Sequence, residues 1–190
     1  MFVPAQQPTP TPAPTPAPAA LEVSVTPAKA GSEAAPSPAS LKIKLTGELS
    51  GQALTVFFPQ GLRISNTGIP QCNKPEKLIL RGGCAAVKAG TGTATTADGD
   101  SIKLAPFVSA SELLFKADKT VLHGTLSQAT GAYTAKMRIK LPPPLRDLTS
   151  IELTLKLQRG NNSLFATRGC PLPFKVTLRK TLTAEAPCQT

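Results

Sequence analysis

Tyr133, Ala135, Met137, Ile139 and Leu141 alternate one for one with Thr134, Lys136, Arg138 and Lys140. Successive side chains of a strand point to opposite faces, so this stretch separates an apolar face from a cationic one only when extended. The same period of two returns along the chain. Leu21, Val23 and Val25 alternate with Glu22 and Ser24, and Leu41, Ile43 and Leu45 with Lys42, Lys44 and Thr46. Ile151 to Leu157 and Phe174 to Leu178 repeat the pattern. No stretch sustains the 3.6-residue period of an amphipathic helix.

Turn signals separate these runs. Ser50-Gly51-Gln52, Asp98-Gly99-Asp100, Ala117-Asp118-Lys119, Gly131 and Arg159-Gly160-Asn161-Asn162 read as turns. Further strands are expected at Ala53–Phe58, Val87–Thr96, from Ile102, at Ser111–Lys116 with Thr120–Leu126, and at Leu164–Thr167. Residues 30–40 read as a loop rich in Ser, Pro, Ala and Gly. Short strands with turns between them predict an all-β protein, a two-sheet antiparallel sandwich of Ig-like or jelly-roll-like kind with about ten strands. Residues 21–190 form the β-sandwich domain. Residues 1–20 hold seven prolines between Thr and Ala, and are read as a disordered linker or extended stalk, with Thr9, Thr11 and Thr15 as candidate O-glycosylation sites.

Residues 59–85 read as irregular, with one helical turn at Leu78, Ile79 and Leu80 whose apolar side packs on the sandwich. A loop this long is uncommon unless tied down, and it contains Cys72 and Cys84. With Cys170 and Cys188 these are the four cysteines of the chain, and four allow three pairings. Zinc sites use close CxxC pairs, whereas 11 and 17 residues intervene here and the single histidine, His123, is distant. Disulfides are therefore expected, no metal, and an extracytoplasmic, oxidising compartment. Met1-Phe2-Val3-Pro4 has neither a basic start nor an apolar core. The cysteines outweigh it, and export is expected. No run approaches the roughly 18 apolar residues of a membrane-spanning helix.

Several phrases together resemble one family. They are GIPQC (68–72), CAAVKAGTGTAT (84–95), ATRGCP with APC (166–171 and 186–188), and VTPAKAG (25–31). The chain from residue 21 onward is similar to a group of secreted, mostly uncharacterised β-sandwich proteins of high-GC actinobacteria. Ala85 stands where members commonly have proline. The resemblance implies disulfides Cys72–Cys84 and Cys170–Cys188, and no activity.

The chemistry of catalysis has little to work with. No serine sits in a G-x-S-x-G setting, and His123 lies in an expected strand as a packing or surface residue. Asp98 and Asp100 read as turn residues, since calcium wants more oxygen ligands. Gly90-Thr91-Gly92-Thr93 lacks the lysine and the helix of a phosphate loop. No catalytic residue and no cofactor are expected. With no Trp and one Tyr, an aromatic sugar platform is not expected either, and Tyr133, Phe115 and Phe174 fall in apolar registers that read as core.

The best functional signal is charge. The chain carries +10, and 20 of 21 Lys and Arg but only 9 of 11 Asp and Glu follow Ser40, so the domain itself holds the excess. Lys42, Lys44, Lys136, Arg138, Lys140, Lys156, Lys175 and Arg179 take the polar side of alternating strands. Neighbouring strands would merge them into one cationic face for anionic envelope polymers or lipid headgroups. The plain alternative is that charged residues avoid the core. Nucleic acid is disfavoured for want of exposed stacking rings. The expected role is non-catalytic, structural or adhesive at the cell envelope. An envelope polysaccharide-active enzyme and a protein–protein interaction module are the alternatives.

Overall fold

The computed structural model describes residues 17–189. The proline run of residues 1–16 lies outside them, and with it most of the expected stalk. The described residues form fifteen strands. They are β1 (Ala20–Thr26), β2 (Ser37–Ser50), β3 (Ala53–Pro59), β4 (Leu62–Ile64), β5 (Gly90–Thr96), β6 (Ser101–Val108), β7 (Glu112–Ala117) and β8 (Thr120–Gln128), then β9 (Tyr133–Lys140), β10 (Asp147–Leu155), β11 (Gln158–Arg159), β12 (Asn162–Ser163), β13 (Phe165–Thr167), β14 (Leu172–Thr177) and β15 (Thr181–Ala186). One short helix, α1 (Glu76–Leu80), falls on the expected helical turn. All named strand pairings are antiparallel.

The fold is all-β and sandwich-like. Its two layers are parts of one sheet wrapped around a common core. The order runs β15-β14-β3-β9-β8-β7-β6-β5-β10-β2, with β1 paired to β2 and the short β13-β4 pair at the start of β2. The inward side chains meet from both layers: Leu54, Ile139 and Leu122 face Ile151 and Leu153 around a small apolar void of about 40 Å3. Phe58 lies tilted against Phe165 and edge-on to Phe174, with centroids 6.0 and 6.4 Å apart. Each fully buried Phe or Leu of this kind contributes about 1.5–3 kcal/mol.

The wrapped sheet brings its ends together. β1 lies against β15, and just beyond them Lys29 forms a parallel bridge with Gln189. The Ala30 amide donates to the Gln189 carbonyl and the Gln189 amide to that of Ala28. Two disulfides are formed. Cys170–Cys188 joins the open end of the β14–β15 hairpin, beside the Leu172–Ala186 pair. Cys72–Cys84 closes the segment carrying α1. That segment lies on the outside of β6, β7 and β8, where Ile79 packs with Phe107, Leu114 and Val121 in a second apolar cluster. Two disulfides are the mark of an oxidising environment. Among the described residues no helix is long and apolar enough to cross a membrane.

Three local expectations are corrected. Ser37–Ser40, read as loop, belong to β2: Ser37, Pro38 and Ala39 pair with β13, and Ala39 is buried. The segment 59–85 contains a strand, β4, that pairs with β13. The strand count exceeds ten because four strands were not expected: β4, β11 and β12, two or three residues long and too short to show alternation, and β15, which pairs with β14. Replacing Cys170 and Cys188 together by alanine should lower the unfolding free energy by about 3 kcal/mol in a urea titration, the loop-closure value for a separation of 18 residues. An unchanged midpoint would show that the strand ladder alone holds this hairpin closed.

Candidate cationic face

The outer surface of the β14-β3-β9-β8 region is built by register. Arg138 of β9 pairs with Thr55 of β3 on one side and Thr125 of β8 on the other. Lys136 pairs with Phe57 and Ser127, and Lys140 with Ala53. One strand further, Thr177 pairs with Thr55 and Lys175 with Phe57. Alternation then does the rest. Val56, Met137 and Ile139 go to the core, and the hydroxyls and cations are left outside.

This surface is concave. An open depression of about 1080 Å3 is lined by Lys136, Arg138 and Lys140, by the hydroxyls of Thr55, Thr125, Ser127 and Thr177, and by His123 at its rim. No carboxylate lines it. Among the described residues none of Lys136, Arg138, Lys140 or Lys175 forms an ion pair. The depression stops where the Cys72–Cys84 segment begins, so the outer face of this layer has two parts. One is apolar and covered; the other is cationic and open.

The eight basic residues singled out from the sequence do not all meet. Lys136, Arg138 and Lys140 line the depression, and Lys175 adjoins it, with its Nζ 3.9 Å above the Phe57 ring centroid and 4.9 Å from that of Tyr133. Lys42 and Lys44 sit on β2, in the opposite layer. Both are neutralised there: Lys42 Nζ is 2.7 Å from Glu152 and Lys44 Nζ 3.8 Å from Glu22. The Lys42 ammonium holds the Glu152 carboxyl below its ordinary value by hydrogen bonding and charge. Lys156 is exposed just past β10, beside Ala89. Arg179 lies near Glu48 and Lys180 at the β14–β15 turn. The eight residues thus do not form the single basic face expected from neighbouring strands: four share the β14-β3-β9-β8 surface without an ion pair among the described residues, Lys42 and Lys44 are paired on β2, and Lys156 and Arg179 stand apart.

Tyr133 is a second correction. Phe115 and Phe174 are core as expected, but Tyr133 is half-buried, with its ring 5.5 Å from that of outward-facing Phe57. The cause is a bulge. Phe58 pairs with Ala135 but Pro59 pairs with Tyr133, so Thr134 is an extra residue and the side chain before it changes face.

His123 fastens the boundary. Its Nε2 is 2.8 Å from Glu76 of α1, and its Nδ1 is 3.0 and 3.1 Å from the two oxygens of Glu112 on β7. The other end of α1 is held where Lys116 Nζ donates to the Leu80 carbonyl at 2.6 Å. The imidazole stands between two carboxylates rather than sharing a centre with them. Among the described residues no group of three or more His, Cys, Asp or Glu is placed to hold a metal ion.

A second depression of about 1000 Å3 gathers Asp98, Asp100, Asp118 and Asp147 with Lys88, Lys103 and Lys116. All four carboxylates are exposed and the lysines among them make the surface mixed in sign. Asp98 and Asp100 flank a tight turn, in which Gly99 has φ +90° and the Asp100 amide donates to Thr96 Oγ1 at 3.1 Å. The Gly-Thr-Gly-Thr stretch is β5, as expected. Gly90 has φ +153°, and a Cβ there would run into the Thr154 carbonyl oxygen. Its glycine serves close strand packing.

The fold and this surface define a disulfide-stapled, all-β, sandwich-like protein with one open cationic face. The chain matches no protein-family model, no curated protein and no solved structure.

The His123 contacts carry a pH dependence. Hydrogen bonds to Glu76 first and Glu112 second, then their charges, raise its pKa above the ordinary 6.5, against a lowering by partial burial. A raised folded pKa stabilises the fold below the unfolded value, and that contribution is lost as pH rises through the folded one. An NMR titration should place the His123 midpoint above 6.5, and Glu76→Gln should bring it down further than Glu112→Gln does. A midpoint unmoved by Glu76→Gln would remove α1 from the account of this contact.

Proposed function

We propose that this protein is a non-catalytic, exported, structural or adhesion-type β-sandwich that binds anionic cell-envelope polymers through the open face of β14, β3, β9 and β8. The observation that carries the reading is the contrast between the two layers. Cations on β2 are matched by Glu22 and Glu152, while Lys136, Arg138 and Lys140 line a depression with no carboxylate in it. Clustering like charges costs free energy through self-repulsion, and a polyanion relieves it. Strand alternation explains why these cations point outward, but not why they lack the cross-strand glutamates that accompany Lys42 and Lys44.

The two disulfides support export, and the resemblance to secreted actinobacterial β-sandwich proteins agrees with it. The open concave shape favours an extended polymer over a flat lipid surface. Two further roles are less well supported. The four aspartates of the second depression are exposed, which leaves a hydrolase no carboxyl there shielded from water to serve as its acid. Leu78, at 43% exposure, is the one large apolar side chain exposed among the described residues, which gives a protein partner little apolar surface to cover.

Binding of the oxidised protein to washed cell envelopes should fall steeply as salt rises. Reversal of Lys136, Arg138 and Lys140 to Glu should abolish it, at least a tenfold loss at low salt. Reversal of Lys42 and Lys44 should leave it within twofold. Loss with the second pair and not with the first, or no binding at low salt, would overturn the reading.

A further inference from the structure

The three cations of β9 are spaced by the backbone itself. Lys136, Arg138 and Lys140 occupy every second residue, so their Cα atoms are about 6.8 Å apart along the strand. Six covalent bonds separate one such Cα from the next. A linear polymer whose anionic groups are also six backbone bonds apart matches that repeat when both chains are extended. Phosphodiester-linked three-carbon polyols have this property, because the path P–O–C–C–C–O–P contains six bonds. A ribbon of diequatorially 1,4-linked uronates does not. Its carboxylates alternate sides, so one face offers an acid only on every second sugar.

We propose that the open face takes an extended phosphodiester-linked polyol laid along β9, with successive phosphates on Lys136, Arg138 and Lys140. The proposal rests on the reading of this face as a polymer-binding surface and names the polymer's chemistry. The flanking rows fit it. Thr55 and Thr125 stand on either side of Arg138, and Ser127 stands beside Lys136. Hydroxyls there can exchange hydrogen bonds with the hydroxyls or bridging oxygens of a polyol, while the guanidinium can take two oxygens of one phosphate.

A nucleic acid backbone has the same six-bond repeat, so the bases decide between them. Single-strand binding draws affinity from aromatic rings that stack on bases. The two rings on this face, Phe57 and Tyr133, lean on each other, and Lys175 covers the Phe57 ring. They serve the cation rather than a base. A polymer with nothing to stack is favoured.

The test uses the full oxidised chain and synthetic glycerol-phosphate oligomers of two, four and eight phosphates, titrated by fluorescence anisotropy. Uronate oligomers and oligothymidylates of equal charge are the comparators. The four-phosphate polyol should bind at least tenfold more tightly than the matching uronate, and eight phosphates should add little beyond the statistical gain of extra registers. Three phosphate contacts predict a slope of log affinity against log salt of about −2, and Arg138→Gln should reduce its magnitude by about 0.7. Far-UV circular dichroism confirms that this exposed substitution leaves the fold intact.

Equal or tighter binding of the uronate, lost on charge reversal of β9, would overturn the polyol assignment and leave the polymer-binding reading standing. Tighter binding of the oligothymidylate would overturn it in favour of nucleic acid. No binding of any oligomer at low salt would overturn both.

Discussion

The apolar core shared by the two layers is the constraint on which the other features depend. Strands such as β2, β9, β10 and β14 bury alternate residues, and a flat sheet of this length would leave one apolar face in water. Wrapping the sheet until β1 meets β15 removes that face. It also fixes which side of each strand is outside. Once Ile139 and Met137 are committed to the core, Lys136, Arg138 and Lys140 have no other place to go. The cationic face is a consequence of packing before it is anything else.

What distinguishes it is the treatment of the outer surface. On one layer the outward cations of β2 are compensated by cross-strand glutamates. On the other, the apolar outer patch of β6, β7 and β8 is covered by the Cys72–Cys84 segment, and the remaining strip is left uncovered and uncompensated. His123 holds one end of α1 at the border between the two, and Lys116 holds the other end away from it. The disulfide thus keeps an apolar cover in place beside the depression, with little demand on helix propensity from a helix of five residues.

Much of the fold was legible in the sequence because alternation is a local signal. β2, β9, β10 and β14 each declare their inward residues without reference to partners. The helical turn at Leu78–Leu80 and the turns at Asp98–Asp100 and Ala117–Lys119 were legible for the same reason. Strand order was not, because pairing joins residues far apart in the chain. The eight basic residues therefore read as one face, although β2 and β9 stand on opposite layers. The Tyr133 error has a sharper cause. One extra residue, Thr134, reverses the face of everything before it, and a bulge leaves no mark in the alternation pattern. The start of β2 was hidden by Pro38, whose composition says loop while its neighbours Ser37 and Ala39 pair with β13.

The central claim is that the uncompensated strip, and not positive charge in general, is the binding surface. Amide shift mapping of the isotope-labelled protein against a polyanion tests it most directly. A footprint confined to Thr55, Phe57, Thr125, Ser127 and Lys136–Lys140, with β1, β2 and β10 unmoved, is the predicted result. A footprint centred on Lys42 and Lys44, or spread evenly over every exposed lysine, would contradict it and reduce the charge of this protein to a solubility feature.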